Sequence, residues 1–246
     1  MATIQEQFTP TSRGGILYDA SCVRKPGDEL FERAHWAAKG ALEDMTGGRG
    51  SVAILRTHDG QWILRHYRRG GWIARVSRDR YLWTGAARTR AFAEWRLLAE
   101  LRRRGLPVPA PVAARYIRDG LTYRADLVTQ QLPATRTLAD ALTTSSLQQE
   151  QWRAVGRTIA AFHRNGVHHA DLNAHNILLG SGASPQPLVY LLDFDRGRIR
   201  KRGAWEGEVL SRLRRSLRKI QRQRPGAAFA DREWEWLMEG YSGRSD

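Results

Sequence analysis

Four short segments in the first half of the chain look like β-strands, because they contain apolar residues of the β-branched and aromatic types that favour strands and are bounded by turn residues. The segments form two pairs, and each pair is separated by an Asp-Gly dipeptide that is typical of tight hairpin turns, at Asp59-Gly60 and at Asp119-Gly120. The strand-like segments are residues 52–56, 61–67, 112–118 and 121–131. The pattern therefore predicts a small antiparallel sheet built from two hairpins.

Two longer segments have apolar residues three or four positions apart, which is the spacing of one face of an amphipathic helix. The first covers residues 88–104, and Gly105 followed by Pro107 predicts its end. The second covers residues 147–162 and is predicted to stop before Gly166. A short strand is predicted to follow, at residues 188–192.

The order of these elements predicts an α+β fold of two lobes. We expect residues 1–131 to contain an N-terminal extension and a lobe based on the sheet, and residues 132–246 to form a shortened, mainly helical lobe. The first 45 residues have mixed character, and the helical signal there is confined to residues 30–42.

The composition indicates a protein that binds negatively charged partners. Its formal net charge is +15, from 40 basic and 25 acidic residues, and such a field attracts nucleic acid, anionic membranes and phosphorylated molecules. No apolar run approaches the roughly 20 residues that cross a bilayer. The opening residues 1–10 lack the pattern of a signal peptide, so we expect a cytosolic protein. Cys22 is the single cysteine, which excludes an internal disulfide framework.

Arginines are concentrated in two stretches. Residues 65–90 carry eight arginines and one acid, interleaved with aromatic residues. Residues 196–222 combine basic residues with an apolar stripe from Val209 to Ile220. This second stretch is predicted to be a helix that packs its stripe in the core; the alternative is a helix that rests on anionic lipid. A nucleic-acid-binding module is a further alternative, but no recognised nucleic-acid motif is present, and we expect no nucleic-acid partner.

The most specific pattern is a set of three oxygen-bearing side chains, Asp171, Asn176 and Asp193. Phosphoryl transfer from ATP requires a carboxylate that accepts the proton of the attacking hydroxyl, and an amide oxygen and a second carboxylate that hold Mg²⁺. The order and spacing predict that Asp171 is the catalytic base and that Asn176 and Asp193 are the metal ligands. Either of the first two residues on its own would be read as shaping a turn. The complete set favours a kinase with ATP and Mg²⁺ as cofactors over an inactive adaptor.

Three histidines near this pattern, His168, His169 and His175, raise the alternative of a zinc site. The kinase pattern explains His169 without zinc, as a structural residue of the catalytic loop. We expect the other two to pack or to form hydrogen bonds.

Kinases also use a cation from the sheet to pair the ATP phosphates and a helical carboxylate to orient it. There is no lysine between Lys39 and Lys201, so the cation must be arginine. Arg65 is preferred to Arg56, and Glu94 is the preferred carboxylate.

Two alternatives concern this nucleotide-binding part of the sequence. Glu100 competes with Glu94 as the orienting carboxylate. Gly48 and Gly50, beside the first predicted strand, are candidate phosphate-binding residues because glycine lets backbone N–H groups approach phosphates closely. A plain turn explains these glycines equally well.

Several segments resemble the protein-kinase-like superfamily over roughly residues 45–200 and, within it, the 3-deoxy-D-manno-octulosonic acid (Kdo) kinases of the lipopolysaccharide kinase family. The matching segments are residues 64–71, 79–83, 105–109, 171–179 and 193–197. The resemblance implies a two-lobed protein-kinase-like fold in which the first lobe binds the nucleotide.

The same resemblance implies ATP-dependent phosphorylation of a sugar hydroxyl on a Kdo-lipid A precursor. It also implies peripheral contact with the anionic cytoplasmic face of the inner membrane. A lipopolysaccharide heptose kinase or another small-molecule kinase is the alternative. The A-P-E sequence of protein kinases is absent, and Asn173 stands where protein-serine kinases place a lysine, which favours a non-protein substrate.

Overall fold

The computed structural model describes residues 3–44, 52–58, 60–68, 79–132, 135–144, 146–180, 187–224 and 226–243. The chain divides into two compact units, of which the first contains Met1–Arg103 and Pro109–Gln131. The second contains Arg104–Val108 and Leu132–Asp246.

An antiparallel sheet forms the centre of the first unit. Its strands are β1 (Glu6–Thr11), β2 (Gly14–Asp19), β3 (Leu42–Asp44), β4 (Val52–Thr57), β5 (Gly60–His66), β6 (Tyr81–Leu82), β7 (Pro111–Asp119) and β8 (Thr122–Gln130). They are hydrogen-bonded in the order β1-β2-β7-β8-β5-β4-β3, and β6 pairs with β8. The two hairpins predicted from strand-like segments joined at Asp-Gly dipeptides are therefore confirmed as β4–β5 and β7–β8.

The first 45 residues differ from the expectation of an extension with a short helix. A helix is present, α1 (Arg33–Ala38), but β1 and β2 precede it and continue the sheet next to β7. The pattern does not reveal β1 because this edge strand is largely exposed and contains Pro10, so its burial does not alternate strongly. Ile16 and Leu17 of β2 are fully buried.

The sheet is covered on both faces. Trp62 and Leu64 of β5 pack in one cluster with Leu30 and Phe31 of a 3₁₀ turn, Asp28–Phe31. Successive side chains of a strand point to opposite faces, so Arg65 belongs to the other face. That face is covered by helix α2 (Arg90–Arg103), which matches the helix predicted for residues 88–104.

The second unit is mainly helical. Its helices are α3 (Leu138–Thr144), α4 (Gln149–Arg164), α5 (Trp205–Gln223) and α6 (Asp231–Ser242). Its strands are β9 (Thr135–Thr137), β10 (Val167–His168), β11 (Ile177–Gly180), β12 (Val189–Leu191) and β13 (Arg198–Ile199). The strand β11 lies between β9 and β12, while β10 pairs with β13.

Helix α5 confirms that the apolar stripe of the second basic stretch packs in the core. Its buried stripe consists of Val209, Leu210, Leu213, Leu217 and Ile220. Several basic residues between them, such as Arg215 and Lys219, are exposed. Among the helices that the structure describes, none has the length and apolar character needed to span a membrane.

Helices α4 and α6 approach each other so closely that two glycines are required at their contact. A Cβ atom on Gly156 would lie 2.0 Å from the carbonyl oxygen of Leu237, and one on Gly240 would lie 2.1 Å from that of Arg153. Both neighbours are helix backbone, which cannot move aside independently. The contact aligns α4, whose C-terminal end leads through Gly166 into the predicted catalytic loop.

Replacing Gly156 by alanine should therefore lower the free energy of unfolding by at least about 2 kcal/mol, because the new methyl group collides with α6. Alanine ordinarily stabilises a helix by up to about 1 kcal/mol relative to glycine, so the sign of the change is diagnostic. Gly207→Ala in α5 is the matched control, since nothing lies within 4 Å of a Cβ atom there. Urea unfolding followed by circular dichroism measures both changes. Equal stability of the two variants would contradict the close helix contact.

Candidate active site

The pairing of β11 with β12 brings the two predicted metal ligands to neighbouring strand ends. Asn176 directly precedes β11, and Asp193 lies two residues after β12. The Leu192 N–H donates to the Asn176 carbonyl oxygen at 2.9 Å, which continues the pairing beyond the strands. The sheet thus places Asn176 and Asp193 at the same end of this strand pair, although 17 positions separate them in the sequence.

Hydrogen bonds to the backbone of Asp171 hold the predicted catalytic loop. The Asp171 carbonyl oxygen accepts from the side-chain amides of Asn176 at 2.9 Å and of Asn173 at 3.0 Å. Asn173 in turn caps the 3₁₀ turn Ala174–Asn176, because its Oδ1 accepts the His175 N–H at 2.9 Å. These bonds hold the predicted base, Asp171, and one predicted metal ligand, Asn176, in a single hydrogen-bonded loop.

His169 is a structural residue of this loop. Its Nδ1 accepts the Asp171 N–H at 3.1 Å, and its Nε2 lies 2.8 Å from the Leu192 carbonyl oxygen, to which it donates. Burial lowers the pKa of His169, which favours the neutral ring that these two bonds require. Both ring nitrogens are engaged, so His169 is not available to a zinc ion.

Asp193 has an unusual backbone conformation, with a φ of 60°. A residue other than glycine in the left-handed region costs on the order of 1 kcal/mol and persists only where the surroundings impose it. The next residue supplies that constraint, since the buried Phe194 stacks on Phe162 at 5.7 Å and lies 4.7 Å from the His169 ring. The buried Phe194 ring thus fixes the backbone position from which the Asp193 side chain extends.

The side chain of Asp171 is 61% exposed and therefore accessible to a substrate hydroxyl. Its Oδ1 lies 3.0 Å from Nη1 of Arg212 in α5, and its Oδ2 lies 3.3 Å from the amide nitrogen of Asn173. One turn further along α5, the Ser216 hydroxyl accepts the Ala174 N–H at 3.2 Å. The sequence indicates Arg212 only as one of many basic residues, and no local signal links it to Asp171, 41 positions away.

The donors in this unit suit Mg²⁺, which prefers hard oxygen ligands and commonly takes one or two carboxylates together with substrate phosphates. The Asn176 amide nitrogen is engaged with the Asp171 backbone, so the amide oxygen is the end left for a cation. In the part of the chain that the structure describes, no cluster of three or more His, Cys, Asp or Glu side chains forms a metal site. A site that relies on phosphate oxygens does not need such a cluster.

In the first unit, the structure brings Arg65 and Glu94 together. Arg65 Nη2 lies 2.5 Å from Glu94 Oε2 and donates to the Tyr67 hydroxyl at 3.1 Å. The Tyr67 hydroxyl donates to the same carboxylate oxygen at 2.5 Å. Glu94 is only 3% exposed, whereas the Arg65 side chain is 22% exposed, so a buried carboxylate orients a cation that remains accessible.

The competing residues have other partners. Arg56 Nη2 pairs with Glu43 at 2.8 Å on the exposed edge of the sheet, and Glu100 pairs with Arg103 at 2.7 Å within α2. The geometry therefore favours Arg65 with Glu94 as the cation and its orienting carboxylate. The candidate phosphate-binding residues Gly48 and Gly50 lie outside the described residues.

Comparison with known sequences identifies a family. A sequence model described as the lipopolysaccharide kinase (Kdo/WaaP) family matches residues 33–241. A protein of Xanthomonas campestris pv. campestris (strain B100), named 3-deoxy-D-manno-octulosonic acid kinase, is 45% identical over 229 residues, which are 93% of this chain and 89% of that protein. A protein of the same name from Stenotrophomonas maltophilia (strain R551-3) is 46% identical over 225 residues, covering 89% of this chain and 88% of that protein.

Two solved structures have a similar fold. One is WaaP in complex with acyl carrier protein, with a TM-score of 0.54, 21% identity, and coverage of 90% of this chain and 88% of that chain. The other is a complex of the Rio2 kinase with ADP/Mg²⁺ and phosphoaspartate from Chaetomium thermophilum, with a TM-score of 0.52, 15% identity, and coverage of 87% and 69%. These similarities confirm the predicted α+β, protein-kinase-like fold.

Proposed function

Because this chain belongs to the lipopolysaccharide kinase (Kdo/WaaP) family, we propose that it transfers a phosphoryl group from ATP to a hydroxyl of the Kdo sugar on a Kdo-lipid A precursor. The observation that carries the proposal is the identity of 45% to 46% with proteins named as Kdo kinases, over about nine-tenths of both sequences. The loop around Asp171 supplies chemistry of the required kind.

In this proposal Asp171 is the general base. Its exposed carboxylate accepts the proton of the attacking sugar hydroxyl, and the bonds from Asn173 and Asn176 to its backbone keep it in position. Asn176 and Asp193 would hold Mg²⁺. When bound, that ion neutralises charge on the ATP phosphates.

Arg65 is the proposed partner of the ATP phosphates. Its planar guanidinium can hold two phosphate oxygens, and the buried Glu94 limits the orientations that the guanidinium adopts. Tyr67 supports the pair, because its hydroxyl bonds Glu94 and its ring lies 4.7 Å below the guanidinium carbon. Tyr67 was not a candidate from the sequence.

The same proposal places the protein at the cytoplasmic face of the inner membrane by peripheral contact. A formal charge of +15 and a helix α5 whose apolar stripe is buried while Arg215, Arg218 and Arg222 are exposed both suit an anionic surface. The lipid A precursor is itself an anionic amphiphile, so one set of arginines can serve both the membrane and the substrate.

The test is phosphorylation of purified Kdo-lipid A precursor with ATP and Mg²⁺, measured by transfer of labelled phosphate. We expect phosphorylation of this lipid, and no transfer to the same lipid without Kdo, to a heptose-bearing acceptor, to an aminoglycoside or to a soluble protein. Added salt should raise the apparent KM for the lipid more than it lowers kcat, because screening weakens charge contacts that are similar in the ground and transition states. Ready transfer to one of the other acceptors, with none to Kdo-lipid, would show that the proposed substrate is wrong and that the protein is nevertheless a kinase.

A further inference from the structure

The two most exposed large apolar residues among those that the structure describes belong to neighbouring segments of the fold. Leu121 is 81% exposed and Leu82 is 71% exposed. The Trp83 N–H donates to the Leu121 carbonyl oxygen at 2.9 Å, so the two leucines are on adjacent backbone segments. The other exposed large apolar side chains are Phe8, Leu188 and Ile199, at 40% to 51%. Single exposed apolar residues are ordinary, but the adjacency of the two most exposed ones calls for an explanation.

Both leucines belong to one end of the first unit's sheet. Leu82 lies on β6 opposite Thr122 of β8, and Leu121 lies in the tight turn between β7 and β8. We refer to residues 80–83 and 118–122 as the hairpin tip. Tight turns are normally polar, because their backbone is solvated and their side chains have little to pack against. Leucine at this turn is therefore not explained by folding.

Aromatic residues hold the hairpin tip on the rest of the sheet. The Tyr81 ring lies 5.6 Å from that of Tyr123, and the Trp83 ring lies 5.1 Å from that of Tyr116. Because side chains alternate along a strand, Leu82, between these two buried or half-buried rings, is directed to the opposite side. The aromatic contacts thus anchor the hairpin tip on the sheet, while Leu82 and Leu121 remain exposed to solvent.

Two arginines belong to the hairpin tip. Arg118 is exposed and its guanidinium carbon lies 4.9 Å from the Trp83 ring centre, while Arg80 is paired with Asp119 at 2.5 Å and remains about half exposed. The half-buried Arg124 follows on β8, two residues after Thr122. Exposed leucines and arginines on the same short tip match the layers of an anionic bilayer, where acyl chains lie below phosphates.

We propose that Leu82 and Leu121 enter the outer acyl layer of an anionic lipid bilayer while Arg80 and Arg118 of the hairpin tip bind lipid phosphates. This proposal rests on the proposed function in one respect: a kinase that acts on a lipid has a reason to bind the membrane that contains it. A bilayer fits better than a protein partner, because two side chains at the end of a hairpin bury far less than the roughly 800 Å² per partner of a stable protein interface. A fluid bilayer needs no complementary groove.

The test is cosedimentation of the full chain with vesicles that contain no Kdo lipid, made either of phosphatidylcholine alone or of phosphatidylcholine with about one-third phosphatidylglycerol. The double variant Leu82→Ser and Leu121→Ser should lose about tenfold or more of the affinity for the anionic vesicles. Leu188→Ser, which removes another exposed leucine, should stay within about twofold. An unchanged melting temperature of each variant shows that these exposed substitutions leave the fold intact.

A second measurement reports insertion directly. An environment-sensitive fluorophore on Leu121→Cys, in a Cys22→Ser background, should shift to the blue on anionic vesicles and not on neutral ones. The same fluorophore on Leu188→Cys should not shift. Equal binding by the double serine variant and the unaltered chain, or equal shifts at both sites, would overturn the proposal.

Activity on detergent-dispersed Kdo-lipid separates this proposal from the proposed function. The double serine variant should keep the kcat of the unaltered chain there, since no bilayer is present. If the unaltered chain bound vesicles through the hairpin tip but phosphorylated no Kdo-lipid, the proposed substrate would fail and the membrane contact would stand.

Discussion

Asp171→Asn is expected to reduce phosphoryl transfer by at least about a thousandfold, because a neutral amide cannot accept the proton of the attacking hydroxyl. The protein should still fold and bind nucleotide. The two shorter hydrogen bonds that shape the loop, from Asn173 and Asn176, end on the Asp171 backbone carbonyl, so asparagine retains them. The lost contact with Arg212 is an exposed ion pair, which contributes little to stability.

Single-turnover kinetics, nucleotide titration and a melting curve on the same sample measure these three properties. Asp193→Asn is the informative comparison, because it should weaken Mg²⁺-dependent ATP binding as well as turnover. A folded Asp171→Asn protein that retained turnover within about tenfold of the unaltered chain would exclude Asp171 as the base.

Arg65→Ala is expected to lower kcat/KM for ATP by about a hundredfold or more, which is the usual effect of removing a preorganised charged donor. Arg65→Lys should restore little, because an ammonium ion cannot hold two phosphate oxygens as the guanidinium does. Glu94→Gln should act in the same direction, since the orientation of Arg65 depends on the short contact with Glu94. Steady-state kinetics with varied ATP give each effect.

Arg56→Ala is the matched control on the neighbouring strand, because it removes the same charge from an exposed pair with Glu43. Its kinetics should stay close to those of the unaltered chain. The melting temperature must accompany the Arg65 measurements, since Arg65→Ala leaves the buried carboxylate of Glu94 without this cation. If Arg56→Ala lowered kcat/KM for ATP and Arg65→Ala did not, the cation that pairs the ATP phosphates would be Arg56.

Features set by neighbouring residues can be predicted from the sequence. The hairpin β7–β8 follows from two strand-like segments that meet at Asp119-Gly120, and its glycine has the positive φ of 56° that such a turn requires. Asp171 and Asn176 are recognised together because the loop that holds them is only a few residues long. The contact of Arg65 with Glu94 spans 29 positions, but it follows from a strand and a helix that are both strongly patterned.

Features that depend on distant packing leave no such signal. The edge strand β1 is too exposed to alternate clearly, and α6 is not predicted by the periodicity. Arg212 reaches Asp171 only because α5 packs beneath the loop. The exposure of Leu82 likewise depends on which side of the sheet is covered, and a leucine in a sequence is ordinarily expected to be buried.

The close contact of α4 with α6 has a consequence for how the molecule forms. It joins residues far apart in the chain, such as His163 with Tyr241 at 78 positions and Arg153 with Glu239 at 86. Closing so long a loop costs entropy before any contact is gained, so this step is slow compared with the folding of the local hairpins. During synthesis at about 5 to 20 residues per second, the loop around Asp171 emerges several seconds before α6. Throughout that interval α4 lacks the helix that aligns it, and its apolar surface is open to chaperones.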